Sequence, residues 1–306
     1  MNTPSPPSWT SPHGRALPVP GGRTLVMGVL NVTPDSFSDG GQLTTTTAAV
    51  KRARQLLAEG ADVLDLGGES TRPDAAPVGA REELARVLPA LAALRRNFPD
   101  APVSVDTYKP EVAETAVKAG ADIINDVWGG MQGWSSAVRR TAIADLKAGK
   151  KLPPSPMAQV AAKLNCPLIL MHNRPDRAYG DFWAEVLDDL KLSVELALEA
   201  GVPKRQIWLD PGFGFAKDAA QNLEVLKNLG RIGELGFPVL LGTSRKSTIG
   251  RVLDNAPADA RFEGTAATVV WGIQQGAAMV RVHDVAPLRK FLRMADAIKQ
   301  GVKWPG

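Results

Sequence analysis

The 306-residue chain is poor in cysteine and in aromatic residues: Cys166 is its single cysteine, and Phe, Trp and Tyr together make up 6%. One cysteine excludes an intramolecular disulfide framework and a paired-cysteine metal site, and it favours a reducing, cytoplasmic environment. Long apolar runs are missing as well. The N-terminus has no apolar leader-like stretch, and the uncharged segment 264–280 is interrupted by Gln274 and Gln275. We therefore expect neither a secretory leader nor a membrane span.

A strong charge imbalance is also absent. The chain has 36 Lys and Arg against 32 Asp and Glu, which gives a formal charge of +4 at pH 7. This small excess is compatible with an anionic small-molecule ligand but does not indicate nucleic acid as a partner. The shares of apolar residues (44%) and charged residues (22%) are typical of a globular protein.

Proline is concentrated at the N-terminus, with Ser, Thr and Gly between the prolines. Such a composition cannot bury enough apolar surface to offset the entropy lost on ordering. We predict a flexible tail over residues 1–22 and one folded domain over residues 23–306. The prolines of the tail are Pro4, Pro6, Pro7, Pro12, Pro18 and Pro20.

From residue 24 onward, short runs rich in Val, Ile and Leu alternate with longer amphipathic stretches. The short runs are apolar at consecutive positions, which is typical of parallel strands covered on both faces. The predicted strands are 24–31, 61–68, 102–107, 122–127, 167–172, 207–212, 238–244 and 278–284. The predicted helices are 48–59, 80–97, 111–119, 181–200, 221–234, 266–275 and 287–299.

Eight strand-helix units of this length predict an α/β fold of the (β/α)8 TIM-barrel class in a single domain. A doubly wound open sheet is the alternative, but it requires a glycine-rich phosphate loop. The segment GFGFAK from Gly212 lacks the third glycine, and GTSRKS from Gly242 lacks the P-loop spacing. The connection at about 129–165 is long and contains several lysines, and we expect it to be a basic, solvated surface loop.

Each predicted strand ends in polar residues, and in a barrel the carboxyl ends of the strands carry the chemistry. Acids and amides follow the middle strands, whereas cations follow the last two. These residues are Asn31, Glu69, Ser70, Thr71, Arg72, Asp106, Asn125, Asp126, His172, Asp210, Ser244, Arg245, Lys246, Arg281 and His283.

The cations that follow the last two strands predict that one part of the ligand is anionic. Lys246, Arg281 and His283 offer donors that suit phosphate oxygens, although Arg281 could instead pair with Asp284 or Glu263. The acids that follow the middle strands predict that the other part is rich in hydrogen-bond donors, because buried carboxylates require such a partner. A flat heterocycle with an amino group beside a ring N–H is such a partner.

Two long polar loops, 31–41 and 68–78, follow the first two strands, and loops of this kind at a barrel mouth are usually binding loops or lids. Together with these loops, the ordered motifs of the chain resemble those of the dihydropteroate synthases within the pterin-binding barrel family. The motifs are NVTPDSFSDGG, GGESTRP, SVDTYKP, INDVWGG, LILMH, LDPGFGFAK, TSRKS and VRVHDV.

The resemblance implies a transferase of folate biosynthesis that joins 4-aminobenzoate to 6-hydroxymethyl-7,8-dihydropterin diphosphate and releases diphosphate. It implies a cytoplasmic homodimer, Mg²⁺ as cofactor, and inhibition by sulfonamides that mimic aminobenzoate. It also implies three groups of site residues. The pterin would contact Asp106, Asn125, Met171, Asp210, Phe215 and Lys246; the aminobenzoate, Thr71, Arg72, Pro73, Ser244 and Arg245; and the diphosphate, Asn31, Arg281 and His283, with Asn31 also on the metal.

The implied mechanism is dissociative substitution at the pterin methylene. Arg281 and His283, with Mg²⁺, would stabilise the departing diphosphate, while Asp35, Asp106 and Asp210 would favour the pterin cation and Lys246 would complete the catalytic set. His172 is either a satisfied strand-end histidine or a substrate contact. Two alternatives are a methyltetrahydrofolate-dependent methyltransferase, which has no use for the cationic residues, and a non-catalytic pterin-binding paralogue. Asn173 and the long 129–165 connection depart from the family pattern.

Overall fold

The computed structural model describes residues 9–33, 42–70 and 77–301, and it alternates strands with helices throughout. The strands are β1 (Leu25–Asn31), β2 (Val63–Gly67), β3 (Val103–Asp106), β4 (Ile123–Asp126), β5 (Leu168–Met171), β6 (Ile207–Asp210), β7 (Leu240–Leu241) and β8 (Met279–Val282). The helices are α1 (Gln42–Glu59), α2 (Ala80–Asn97), α3 (Pro110–Lys118), α4 (Ser136–Lys147), α5 (Pro156–Lys163), α6 (Phe182–Glu199), α7 (Ala219–Lys227), α8 (Gly230–Gly233), α9 (Ser247–Val252), α10 (Phe262–Gln274) and α11 (Val285–Gln300).

The eight strands form one parallel sheet in the order β6-β5-β4-β3-β2-β1-β8-β7. The two edges of this sheet meet, since Leu209 of β6 forms a parallel bridge with Val239 just before β7. The Leu209 N–H also donates to the Pro238 carbonyl at 3.0 Å. The sheet therefore closes on itself with helices between successive strands, and the predicted (β/α)8 barrel is confirmed.

Alternation along each strand separates two apolar layers. Val26 and Leu30 of β1 pack outward with helix residues such as Leu56, whereas Leu25 and Met27 face the barrel axis. Among the described residues, no helix of the outer layer is long and apolar enough to cross a membrane. The inner layer at the amino ends of the strands is apolar, so the barrel interior is a packed core rather than a channel.

The N-terminal segment closes the lower end of this core. Trp9 is 3% exposed and its ring lies 4.5 Å from that of Trp208, centroid to centroid. Ser11 Oγ donates to Asp122 Oδ1 at 2.6 Å, and Arg15 Nε donates to the same oxygen at 2.7 Å. The expectation of a flexible tail over 1–22 is therefore wrong for residues 9–22. The burial of Trp9 and the hydrogen bonds of Ser11 and Arg15 offset the entropy that this segment loses on ordering. Residues 1–8 lie outside the described residues.

The connection 129–165 contains the helices α4 and α5 and is not a solvated loop, contrary to expectation. Ser135 and Ser155 cap these helices, each accepting a hydrogen bond from the backbone three residues on. Met131 and Leu152 pack against Leu192 and Leu196 of α6. The lysines mark only the exposed side of this segment, whereas its apolar residues bury it against the barrel.

Candidate active site

Strand register brings the polar strand ends into one layer at the carboxyl end of the barrel. Asn31 pairs with Gly67, Gly67 with Asp106, and Asp106 with Asn125 across four successive strands. Alternation turns Asp106 and Asn125 toward the axis, because their neighbours Val105 and Ile124 belong to the outer apolar layer. These side chains therefore converge because of the strand register and because alternate residues of a strand share one face, which we call their parity.

Gly67 makes room in this layer for two of its neighbours. A Cβ atom at this position would lie 3.2 Å from Asn31 Oδ1 and 3.7 Å from Asp106 Cβ. The approach is tight because the polar side chains on both sides lean over the glycine. A side chain here would displace Asn31 or Asp106 from the mouth of the barrel.

Arg281 of β8 crosses the barrel to reach two carboxylates. Its Nε donates to Asp65 Oδ2 at 2.6 Å and its Nη2 donates to Asp106 Oδ2 at 2.7 Å. Asn125 Nδ2 donates to the same Asp65 oxygen at 3.2 Å. The alternative pairing of Arg281 with Asp284 or Glu263 is wrong, because Arg281 shares the inward parity of Met279 and faces away from both. This arrangement ties β2, β3, β4 and β8 together beneath the mouth.

Asp65 is the site residue that sequence reasoning missed. It is fully buried within β2, where the run VLDLG was interpreted as an apolar strand. A signal was present, since an acid in the middle of a buried strand requires a cationic partner. Its spacing of two from Val63, which faces inward, also placed it on the axial side.

Two of the buried carboxylates keep an oxygen free. Among the described residues, neither Asp65 Oδ1 nor Asp106 Oδ1 has a hydrogen-bond partner. Burial raises the pKa of Asp106, although the neighbouring Arg281 opposes that rise. For Arg281 itself burial disfavours the charge, but Asp65 and Asp106 outweigh it and raise the guanidinium pKa. A ligand that brings N–H donors would satisfy Asp106.

Asp210 and Lys246 face the same space from the other side of the barrel. A Cβ atom on Gly242 would lie 3.9 Å from Asp210 Oδ2 and 3.8 Å from Arg281 Cβ, so these two side chains approach each other over this glycine. Asp210 Oδ1 accepts the Gly212 N–H at 2.7 Å. Burial raises the pKa of Asp210 to about 6 and lowers that of Lys246 to about 8.

The two predicted apolar contacts of the ring lie at this site. Met171 ends β5, pairs with Asp210, and shares the inward parity of Ile169. Phe215 lies after β6, and Lys246 Nζ stands 4.1 Å from the centroid of its ring. Such a cation above an aromatic face is a favourable contact that keeps both side chains in place.

His283 and Ser244 form a separate polar pair beside Arg281. Ser244 Oγ lies 2.9 Å from His283 Nδ1 and accepts the His283 backbone N–H at 3.2 Å. Since burial, aided by Arg281 and Arg245, lowers the pKa of His283 to about 3, the ring is neutral at pH 7. A serine hydroxyl that donates to Nδ1 leaves the ring proton on Nε2, where it can be donated to an anion.

Arg245 is held by neighbouring residues. Its guanidinium donates to both oxygens of Asp284, at 2.6 and 3.0 Å, and its backbone has a φ of 59°. The Arg245 carbonyl accepts from Arg261 Nη1 at 2.8 Å, and its N–H donates to Thr265 Oγ1 at 3.1 Å. These contacts fix a left-handed conformation that is uncommon for residues other than glycine, and they place Arg245 at the rim rather than in the buried layer.

His172 lies outside the inward-facing layer. It follows Met171, so it has the opposite parity, and it is completely buried behind the sheet. Its Nδ1 lies 2.7 Å from Lys217 Nζ and its Nε2 lies 3.2 Å from Asp189 Oδ2. Of the two interpretations of His172, the structure supports the buried strand-end histidine that does not face the site, although its Nε2 has no hydrogen-bond partner among the described residues.

Some predicted site residues lie outside the described residues. These are Asp35 of the first loop, and Thr71, Arg72 and Pro73 of the second. The described base of the second loop is anchored by Glu69, whose Oε1 accepts the Val78 N–H at 3.2 Å and the Tyr108 hydroxyl at 3.0 Å. Lys109 also pairs with Glu69.

A cavity of about 860 Å³ opens at the opposite end of the barrel, beneath the amino ends of the strands. Trp9, Trp208 and Pro238 line it together with residues of the C-terminal helix. It contains none of the strand-end carboxylates or cations described above. The strand-end acids and cations are gathered at the carboxyl end, where barrels carry their chemistry.

Comparison with known proteins identifies the family of the chain. Residues 27–283 match the family model for pterin binding enzymes. The chain is 49% identical to dihydropteroate synthase of Bacillus subtilis (strain 168) over 276 residues, which cover 90% of this chain and 89% of that protein. It is 48% identical to the dihydropteroate synthase of Clostridium beijerinckii over 279 residues, which cover 91% and 95%.

Solved structures show the same relationship. The dihydropteroate synthase of Clostridium difficile, determined in the presence of pteroic acid, superposes with a TM-score of 0.81 at 45% identity and covers 91% of this chain and 98% of that one. The enzyme of Xanthomonas albilineans in complex with 7,8-dihydropteroate gives 0.76 at 40% identity and covers 92% and 95%. The resemblance drawn from the motifs is thus confirmed: the chain belongs to the pterin-binding enzyme family, among the dihydropteroate synthases.

Proposed function

We propose that the inward-facing polar layer binds the pterin ring of 6-hydroxymethyl-7,8-dihydropterin diphosphate and that the chain transfers this pterin to 4-aminobenzoate with release of diphosphate. The observation that carries the proposal is the buried Oδ1 of Asp106, which lies beside Asn125 and Arg281 and has no hydrogen-bond partner among the described residues. A buried carboxylate oxygen without a donor is costly, and the amino group and ring N–H of a pterin would satisfy it.

The remaining ring contacts are assigned to residues on the other side of the space. Asp210 keeps one oxygen for the ligand after accepting the Gly212 N–H. Asn125 can accept from the ring through its amide oxygen, because its amide nitrogen donates to Asp65. Phe215 and Met171 would contact the faces of the ring, and Lys246, above Phe215, would donate to a ring acceptor.

The diphosphate is assigned to the space beside β8 and β1. Arg281 uses Nε and Nη2 on Asp65 and Asp106, and Nη1 has no partner among the described residues. His283 presents Nε2–H, since its Nδ1 faces Ser244. As the bond between the pterin methylene and the leaving oxygen breaks, negative charge grows on diphosphate, and both donors stabilise that charge more in the transition state than before it.

Asn31 fits a Mg²⁺ ion bound with the diphosphate. Its amide oxygen lies at the mouth, leaning over Gly67 toward Asp106, and Mg²⁺ is usually held by one or two protein oxygens together with substrate phosphates and water. The described residues contain no cluster of three acidic, histidine or cysteine side chains that would hold a metal by themselves. Mg²⁺ bound there would neutralise charge on the leaving group.

The positive charge left on the pterin is assigned to the carboxylates. Asp106 and Asp210 flank the space of the ring and favour a cation in it. The neutral arylamine then attacks the methylene and loses its proton afterwards, so the step needs no strong base. This agrees with a neutral His283, which acts as an anion ligand rather than as a proton acceptor.

The aminobenzoate is assigned to the rim, where Ser244 and Arg245 lie and where the second loop begins at Gly68. Arg245 is partly exposed and bound to Asp284, so its guanidinium borders the opening. We also assign sulfonamides to this place, since an aryl sulfonamide mimics the aminobenzoate. Thr71, Arg72 and Pro73 complete the proposed subsite.

We further propose a homodimer and a cytoplasmic location. Exposed apolar side chains on α10 and α11 support the dimer: Trp271, Phe291, Met294 and Ile298 are between 42% and 63% exposed. A second copy that covers this surface leaves both barrel mouths open. The buried, unpaired Cys166 supports a reducing compartment.

The function is tested by mixing both substrates with and without Mg²⁺ and measuring diphosphate release and dihydropteroate formation. Asp210→Asn should weaken pterin binding by about 1.5–3 kcal/mol, or roughly 10- to 150-fold, because it removes a charge-assisted pair. Asp126→Asn is the matched control. Asp126 is an equally buried strand-end carboxylate, but it faces outward and accepts the Trp128 and Gly130 N–H groups. Equal losses in both variants would refute the assignment.

A further inference from the structure

The segment 211–217, which follows β6, supplies three parts of the proposed pterin site. The Gly212 N–H orients Asp210, Gly214 lies beneath the Lys246 side chain, and Phe215 carries the ring under Lys246 Nζ. The φ angles of Gly212, Gly214 and Ala216 are 65°, 87° and 46°, so the backbone of this segment is repeatedly left-handed. A segment with several left-handed residues has little intrinsic preference for this conformation, so it depends on tertiary contacts to keep it.

Lys217 provides those contacts from a buried position. Its Nζ lies 2.7 Å from His172 Nδ1 and donates to the Gly212 and Phe215 carbonyls at 3.2 Å each. Protonated Lys217 has three donors and no acceptor, and these three partners match it. Burial lowers the pKa of this ammonium to about 7. The side chain is 3% exposed. It therefore closes the segment on itself and fastens it to the end of β5.

His172 and Asp189 extend this contact to helix α6. Because Lys217 donates to Nδ1 of His172, the ring proton belongs on Nε2, which lies 3.2 Å from Asp189 Oδ2. Asp189 is fully buried and accepts from Arg174 Nε at 2.6 Å. Tyr179 adds a further contact, since its hydroxyl donates to the Ala216 carbonyl at 2.9 Å.

Close packing leaves this segment no other position on β5. A Cβ atom on Gly212 would lie 1.8 Å from the His172 carbonyl oxygen, so the backbone of the segment rests directly on the strand end. Movement of His172 would thus shift Gly212, and with it the N–H that Asp210 accepts. Hydrogen bonds of Lys217 join His172 to the segment, whereas His172 Nε2 and Asp189 Oδ2 are in close contact at 3.2 Å without a hydrogen bond.

We infer that Lys217, held by His172 and Asp189 behind the sheet, is a positioning residue that orients Asp210 and Phe215 toward the pterin. The inference rests on the proposed function of the site. It differs from it in assigning a role in pterin binding to residues that touch neither substrate. They contribute by preorganising the segment. Without them, part of the binding free energy of the ring would be lost in ordering it.

The test compares Lys217→Met with Arg95→Met. Arg95 serves as the control, because it is a mostly buried cation at the opposite end of the barrel that donates to the Gly120 and Ala101 carbonyls and also to Asp122. Stability is measured by urea unfolding and pterin affinity by titration with 6-hydroxymethylpterin. We expect Lys217→Met to weaken pterin binding at least tenfold while the KM for aminobenzoate, at saturating pterin substrate, changes less than twofold. Arg95→Met should lose stability but bind pterin within twofold of the wild type.

A second pair of variants keeps the inference testable if Lys217→Met does not fold. His172→Asn retains an acceptor near the position of Nδ1, whereas His172→Leu does not. The asparagine variant should therefore bind pterin more tightly than the leucine variant. Equal affinities in this pair, or unchanged pterin affinity in folded Lys217→Met, would overturn the inference. A wild-type protein that fails to bind pterin would instead overturn the proposed function.

Discussion

Replacing Arg281 by methionine tests whether this residue supports the fold, the reaction, or both. The substitution keeps much of the apolar stem but leaves Asp65 and Asp106 without the cation that Nε and Nη2 supply. Removing one partner of a buried ion pair costs about 3–5 kcal/mol. The side chains of Asp65 and Asp106 are 0% and 6% exposed, whereas the Arg281 side chain is 19% exposed. We therefore expect a loss near the lower end of that range, about 3 kcal/mol.

The structural part of this loss can be separated from the chemical part. The double variant Asp65→Asn with Arg281→Met removes one of the two uncompensated carboxylates and keeps the amide within reach of Asn125. It should regain a large share of the unfolding free energy, measured in urea, yet still release diphosphate far more slowly than the wild type. The reason is that no donor replaces Nη1 beside the leaving group.

Two results would refute this reasoning. The ion pairs do not stabilise the barrel if the unfolding free energy of Arg281→Met lies within about 0.5 kcal/mol of the wild-type value, which is the usual effect of a surface substitution. If the double variant recovers both stability and diphosphate release, Arg281 has no role at the diphosphate. The Mg²⁺ dependence of turnover, measured alongside, should be lost with the activity.

Two further predictions concern pH and the N-terminal segment. Because burial raises the pKa of Asp210 to about 6 and lowers that of Lys246 to about 8, pterin affinity should fall below the first value, where Asp210 gains a proton, and above the second, where Lys246 loses one. A titration series should show both limbs. The acid limb should be smaller in Asp210→Asn, where Asp106, whose pKa is also raised by burial, still titrates. The alkaline limb should be smaller in Lys246→Arg, where Lys217, whose pKa burial lowers to about 7, still titrates. A flat wild-type profile would contradict the assignment. Trp9→Ala should cost about 3–5 kcal/mol in urea unfolding, as for other buried aromatic residues, with the KM values unchanged; a loss below 1 kcal/mol would show that the segment contributes little.

The barrel could be predicted because its signals are local and repeated. Each apolar run between two amphipathic stretches predicts a covered parallel strand, and eight such units leave few other topologies. The strand ends were likewise predictable, since polar residues after each run mark the mouth. The helices of the connection 129–165 are not evident from the sequence, because its lysines dominate the composition, whereas Met131, Leu152 and the serine caps determine its packing.

The partners of the site residues could not be predicted in the same way. Arg281 was expected either at phosphate or in a pair with a neighbour along the chain, yet it binds Asp65 and Asp106, which lie 216 and 175 residues away. The sequence allows two roles for His172, and its outward position after β5 together with its contact with Lys217 shows that the buried role is the correct one. These outcomes depend on which face each residue takes and on what lies across the barrel.

The repeating order of strands and helices, the polar character of every strand end and the family can be recognised from the amino-acid sequence, because they are properties of residues close together in the chain. The place of Asp65 in the site, the contacts of Lys217 with the segment after β6 and the packing of Trp9 against Trp208 are evident only in the folded protein. Burial, hydrogen bonding and pKa depend on the neighbours that a side chain meets in three dimensions, and closure of the barrel brings together residues that the chain keeps far apart.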